Sequence, residues 1–199
     1  MAGTKTGVRD RILQTALPLF ITQGFRATGI DRIIAESAVA KASFYRHFPS
    51  KDDLILACLE RGHISHFAAL KIAVEAVEVK SRPLSLFDVL PDVSEATMRG
   101  DLLITATVEF GTAKPAIADV VAAARRQLRE WFDALLTEAG YADMAETLSH
   151  EWLLLYEGAM IGALRQTPAQ AARWARANAE RSLQQIQLKR LLSKTLPGT

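Results

Sequence analysis

Lys41, Ser43, Tyr45, Arg46 and His47 lie within one short stretch, Ala-Val-Ala-Lys-Ala-Ser-Phe-Tyr-Arg-His-Phe. Their chemistry is that of contact with a polyanion. Arg and Lys can pair with guanine O6 and N7, and the polar tips of Tyr45 and His47 can reach a phosphate. Such side chains work together only if one rigid element presents them on one face. The surrounding residues describe that element: two short amphipathic helices joined by a tight turn over residues 29–48, the second carrying the polar group. This is the layout of a helix-turn-helix, whose second helix lies in the major groove of DNA.

The local signals support it. Thr28 is a good N-cap, with Asp31 three residues on as a short capping-box acid. Ile30, Ile33 and Ile34 fall on one helical face, and Arg32 and Glu36 fall outside it. Ser37-Ala38 closes the first helix. From the second, Val39, Phe44 and Phe48 plug the core. Pro49 pushes the residue before it out of helical geometry. Ser50 then caps a new helix whose first turn holds Lys51, Asp52 and Asp53. The acids suit a helix start, while Lys51 opposes the dipole there; a phosphate beside it would explain the placement.

Charge is distributed accordingly. Up to residue 51 the basic residues are Lys5, Arg9, Arg11, Arg26, Arg32, Lys41, Arg46 and Lys51, against only Asp10, Asp31 and Glu36. The whole chain of 199 residues carries a net +2, so the remainder is mildly acidic. A basic head on an acidic body points to a polyanion partner for the head alone. The hydrophobic content of 49% supports a sizeable core. The single cysteine, Cys58, fits a reducing compartment. The first residues, Met-Ala-Gly-Thr-Lys-Thr-Gly, lack the apolar centre of a signal peptide, and no run approaches a membrane span. A cytoplasmic location, no membrane partner and no cofactor are the expectations.

The stretch from Val8 to Leu54 resembles the DNA-binding domain of the tetracycline-repressor (TetR) family of bacterial regulators; beyond it the resemblance is architectural. It implies an all-α fold, with a three-helix DNA-binding head at residues 1–51 and a helical effector-binding and dimerisation body at 52–199. It implies phosphate contacts at Thr28, Tyr45, His47 and Lys51. Ala40, Lys41, Ala42, Ser43 and Arg46 would face base edges, the small Ala42 leaving room for a thymine methyl. Two departures from the family pattern stand out. Ala38 occupies the place of the usual turn glycine, storing roughly 1 kcal/mol of strain if φ is positive there. Ala40 replaces a frequent capping serine, at a cost of about 1 kcal/mol.

Beyond the head every segment reads as helix: Lys51 to Val79, Leu84 to Met98 interrupted at Pro91, Leu102 to Phe110, Pro115 to Ala139, Ala142 to Gln166 and Pro168 to about Ser193. The first helix runs from about Thr6 to Gln23, with Pro18 inside it and Gly24 as its stop. Small residues at Gly158, Ala159, Gly162, Ala163, Ala172, Ala175 and Ala179 would let two helices from each of two chains meet in a four-helix homodimer interface, as in the family. Trp152, Tyr156 and Met160 share a face. With Phe67, Phe87, Met98, Phe110 and Trp131, and with Glu109 as an acid among apolar neighbours, they could line a cavity for a small-molecule effector of unknown identity.

The expected function is a ligand-responsive repressor that binds a palindromic double-stranded DNA operator as a dimer and is released by a small molecule. The rival is a binder of the same fold without an effector, acting through a protein partner or organising DNA. An enzyme is not expected. GxSxG, HExxH, P-loop and GxGxxG patterns are missing, and His63, His66 and Cys58 do not follow a metal-binding spacing. Catalytic and metal-ligating residues are therefore expected to be none.

Overall fold

The computed structural model describes residues 7–93, 102–163 and 167–195. Among them the chain forms nine α-helices and no strand. They are α1 (Val8–Gln23), α2 (Ile30–Ser37), α3 (Lys41–His47), α4 (Lys51–Glu75), α5 (Arg82–Val93), α6 (Leu102–Phe110), α7 (Pro115–Leu136), α8 (Ala145–Gly162) and α9 (Pro168–Thr195). No helix among the described residues is long and apolar enough to cross a membrane.

The punctuation follows local chemistry. Gly24 ends α1 at φ 85°, its N–H donating to the Phe20 carbonyl. Ser50 and Asp53 form a reciprocal cap at the start of α4: the Asp53 N–H donates to Ser50 Oγ at 3.1 Å, and the Ser50 N–H to Asp53 Oδ2 at 3.0 Å. At the break expected near Pro83, a single 3₁₀ turn at Val79–Ser81 leads directly into α5, with Pro83 in its first turn. Proline is tolerated there because the first-turn N–H groups have no helical partner. Pro91 lies within α5 rather than interrupting it. After α7 a π-type turn at Thr137–Tyr141 reverses the chain, with Gly140 at φ 94°.

Two compact units result: Met1–Phe67 with Arg99–Ala124, and Ala68–Met98 with Arg125–Thr199. In the first, Ile12, Leu13, Ala16 and Phe20 of α1 meet Ile33, Val39, Phe44 and Phe48 of the helix pair and Leu54, Ile55, Cys58 and Leu59 of α4. The same core takes in Leu102, Ala106 and Phe110 of α6, and Ile117 and Val121 of α7. The three-helix head is thus completed by residues far away in sequence. Cys58 is fully buried there, and burial pushes its thiol up to about 12.

In the second unit α9 packs on α5 and α8. Arg176 ties α9 to α5 through Asp88 at 2.9 Å, and Arg125 ties α7 to α8 through Glu157 at 2.9 Å. Phe87 and Trp152 meet edge-on at 5.6 Å between ring centres, as do Phe132 and Tyr156 at 5.9 Å.

Candidate nucleic-acid interface

The helix pair at residues 30–47 separates its residues cleanly. Phe44 and Phe48 are at most 2% exposed and Val39 is 7% exposed, so α3 is held by its apolar side. Ala40, Lys41, Ala42, Tyr45, Arg46 and His47 are exposed, and Ser43 is half-buried. Of the seven turn-and-helix positions expected to meet DNA, six are thus exposed and Ser43 is half-buried. The Tyr45 ring stands edge-on to Phe44 at 5.4 Å, which fixes the phenol while leaving its tip outside.

The turn has the predicted peculiarities. Ala38 adopts φ 51° and ψ 42°, the left-handed region that glycine usually fills, and is the one non-glycine residue with positive φ among those described. Ala40 is the N-cap of α3 and supplies no side-chain cap. The packing of Val39 and Phe44 must offset both losses.

Thr28 differs from expectation. The N-cap of α2 is Gly29, and Thr28 is completely buried, its hydroxyl donating to the carbonyl of Gly24 at 2.7 Å. Because α2 starts later than the threonine suggests, the side chain turns inward and stitches the α1–α2 connector. Its hydroxyl does not face outward toward a phosphate. Asp31, in turn, is no capping acid. It pairs with Lys41 Nζ at 3.1 Å, and this partner raises the lysine's pKa.

Lys51 is half-buried at the start of α4, and its ammonium donates to the Arg26 carbonyl at 3.3 Å. This internal acceptor holds the ammonium at the helix start. Burial lowers its pKa, opposed by the nearby Glu109 carboxylate.

Glu109 is employed differently from expectation. Its carboxylate accepts the N–H groups of Phe25 at 2.9 Å and Arg26 at 2.7 Å, within the first unit. The neighbouring Phe110 belongs to the core of the head, 5.6 Å from Phe25, with the cations of Arg26 and Lys114 over its ring. Phe67 stacks on His63 in the same unit. These three residues belong to the first unit. The rest of the aromatic set, Phe87, Trp131, Trp152, Tyr156 and Met160, lies in the second unit. All but Trp131 are at most 2% exposed. Trp152 Nε1 is buried there without a hydrogen-bond partner. Met98 lies outside the described residues.

The small residues also divide. Ala159, Ala172, Ala175 and Ala179 are buried within the chain, where they permit close packing of α8 and α9. Ala159 and Ala175 also line a solvent-open groove between α8 and α9. Gly158 is exposed, and Gly162 and Ala163 are half-buried. What sequence reasoning missed is the apolar surface beside them: Leu154 at 67% and Trp174 at 62% exposure, with Ile161, Leu188, Leu191 and Leu192. Leu154, Gly158 and Trp174 line a shallow groove of about 210 Å³.

A three-helix head whose third helix exposes a cationic and aromatic face, joined in sequence to a helical body, defines the class of helix-turn-helix regulators. Residues 12–58 match the family model described as bacterial regulatory proteins, tetR family. The head thus carries the TetR-family DNA-binding domain. It is similar to the HTH-type transcriptional regulator YerO of Bacillus subtilis, 42% identical over 52 residues, which are 26% of this chain and 18% of YerO. Sequence likeness to YerO thus covers about a quarter of this chain and less than a fifth of YerO. The whole chain is similar to the solved structure of SCO4454, a TetR-family transcriptional regulator from Streptomyces coelicolor. The TM-score is 0.81 at 27% identity, covering 89% of this chain and 95% of that one. It also shares its fold with a regulator from Saccharomonospora viridis solved in complex with choline, at TM-score 0.74 and 20% identity, covering 88% and 95% of the two chains.

Proposed function

We propose that the chain is a repressor that binds a palindromic operator as a homodimer and releases it when a small molecule occupies the body. One observation carries the DNA-binding part: the exposed run Ala40, Lys41, Ala42, Tyr45, Arg46 and His47 on a helix anchored by Val39, Phe44 and Phe48. In this reading Lys41, Arg46 and the small alanines face base edges. Tyr45, His47 and Lys51 hold phosphates, and residues 1–51 act as reader while 52–199 act as controller. Phosphate contacts position the protein and base contacts specify the sequence.

Pairing is supported by the exposed apolar residues of α8 and α9. Leu154, Ile161, Trp174, Leu188 and Leu191 form the kind of surface that a second copy would cover. Gly158, where an added Cβ would meet nothing within 4 Å, leaves room for that copy's helix. A dimer also suits the two half-sites that helix-turn-helix proteins read. Effector control is supported by the aromatic set of the second unit, by the buried indole N–H of Trp152, and by the choline bound to a protein of like fold. The interlocked pairs Phe87–Trp152 and Phe132–Tyr156 favour the rival, in which the core is filled and a protein partner exerts control.

The experiment is a genomic footprint of the purified protein, repeated with Arg46→Ala and Lys51→Ala. The expected result is a two-fold symmetric site. Arg46→Ala relaxes one base position by roughly 1–3 kcal/mol, and Lys51→Ala weakens all sequences alike. If Arg46→Ala weakens every sequence equally, Arg46 is a phosphate contact and the division of roles is wrong.

A further inference from the structure

The connector between α1 and α2 contains two amides that no helix of the head satisfies. After Gly24 the chain turns, and the N–H groups of Phe25 and Arg26 need acceptors from elsewhere. They find them 84 and 83 residues away, one on each carboxylate oxygen of Glu109. Hydrogen bonds to an ionised acceptor are the stronger kind, and a carboxylate spanning two successive amides fixes the orientation of both.

The surroundings are shaped for this contact. Glu109 stands in the last turn of α6, whose Leu102, Ala106 and Phe110 sit in the core of the head. Gly24 closes on it from the other side. The φ of +85° there favours glycine, and a Cβ at that position would lie 2.3 Å from Glu109 Oε1, so a larger residue would push the carboxylate off the two amides. The backbone held by Glu109 is also the backbone that holds Lys51, through the Arg26 carbonyl. Acid, connector and ammonium form one chain of contacts that ends at the start of α4. The connector and the ammonium lie within residues 12–58, the part that matches the family model, but the acid that organises them, Glu109, lies outside it.

We propose that Glu109 is a positioning residue for DNA binding, setting the Phe25–Arg26 backbone and through it the Lys51 ammonium. The inference rests on the DNA-binding reading above. Its effect has a distinctive sign. A negative charge near a DNA-binding surface repels phosphate, so neutralising it should by electrostatics alone tighten binding. If Glu109 acts by positioning, neutralising it weakens binding instead.

The test uses the full chain and the duplex selected by footprinting, beside an unrelated duplex. Glu109→Ala and Glu109→Gln are compared with Val108→Ala, whose side chain is 80% exposed on the same helix. Affinity is measured alongside the backbone amide resonances of Phe25 and Arg26 and the thermal melt. The expected result is a loss of about tenfold on both duplexes for Glu109→Ala, with both amide resonances moved upfield. Glu109→Gln keeps one carbonyl acceptor and should fall between it and wild type, while Val108→Ala binds normally. Should Glu109→Ala fail to fold, the Gln variant decides. Unchanged or tighter binding by the folded variants overturns the positioning role, as do unmoved amide resonances. A wild type that binds neither duplex overturns the DNA-binding reading itself, a result distinct from these.

Discussion

Lys41 Nζ lies 3.1 Å from Asp31 Oδ1, so the first cation of the reading helix is tied to an acid on the helix before it. Both side chains are well exposed, at 65% and 87%, which makes the pair easily exchanged for a stronger partner. A DNA phosphate or base edge must compete with Asp31 for this ammonium. Asp31→Asn removes the competitor and one repulsive charge. It should tighten binding roughly two- to fivefold on all duplexes. Equal or weaker binding in a fluorescence-anisotropy titration would show that Asp31 instead orients Lys41 for its contact.

The left-handed Ala38 sets a stability prediction. Ala38→Gly relieves the steric penalty at φ 51°, about 1–2 kcal/mol, while loosening the unfolded chain by about 0.4–1 kcal/mol. A net gain of roughly 0.5 kcal/mol should follow, seen as a higher midpoint in urea. A loss would mean that the Ala38 methyl makes a contact worth more than the strain.

Stability should also depend on pH through His66. Burial, with a smaller push from His63, lowers its pKa from the ordinary 6.5 to about 4. Between these values the unfolded chain binds a proton that the folded chain refuses. The His66 contribution is therefore constant above about 6.5, and stability falls as pH drops from there toward 4, by at most about 3 kcal/mol. Urea unfolding at several pH values checks this, with His66→Gln expected to flatten the slope. An equal slope in the variant would place the dependence on other groups.

The effector of the proposed function can be sought directly. Apolar compounds with a hydrogen-bond acceptor suit a site beside the partnerless Trp152 indole N–H. A compound that raises the melting temperature should release the operator. By linkage the operator must weaken that compound's binding by the same factor, a coupling typically of ~1–3 kcal/mol. Stabilisation without any change in operator affinity would separate ligand binding from the switch and favour the protein-partner reading.

The head was legible because its signals are local. Ile33, Val39, Phe44 and Phe48 bury one side of a short segment, and the exposed residues of α3 are what remains. The bounds of α6 were equally plain, but its destination was not. Glu109 and Phe110 read as ligand-facing because an acid among apolar residues does not reveal that its partners are backbone amides 84 and 83 residues away. Thr28 misled by being a good cap one residue too early. Small residues allow close helix approach equally within a chain and between chains: Ala172, Ala175 and Ala179 are buried in the packing of α9 inside its own chain, and Ala175 also lines the groove beside Trp174. The proposed pairing surface is marked instead by Leu154 and Trp174, apolar residues outside the buried stripe.

The salt dependence of operator binding, measured together with its stoichiometry, tests the central claim most directly. Lys41, Arg46 and Lys51 from each of two chains would displace condensed counterions. Affinity should then fall about 10³-fold between roughly 50 and 200 mM salt, with two chains on each site. A flat salt dependence, or a single chain per site, would contradict the account.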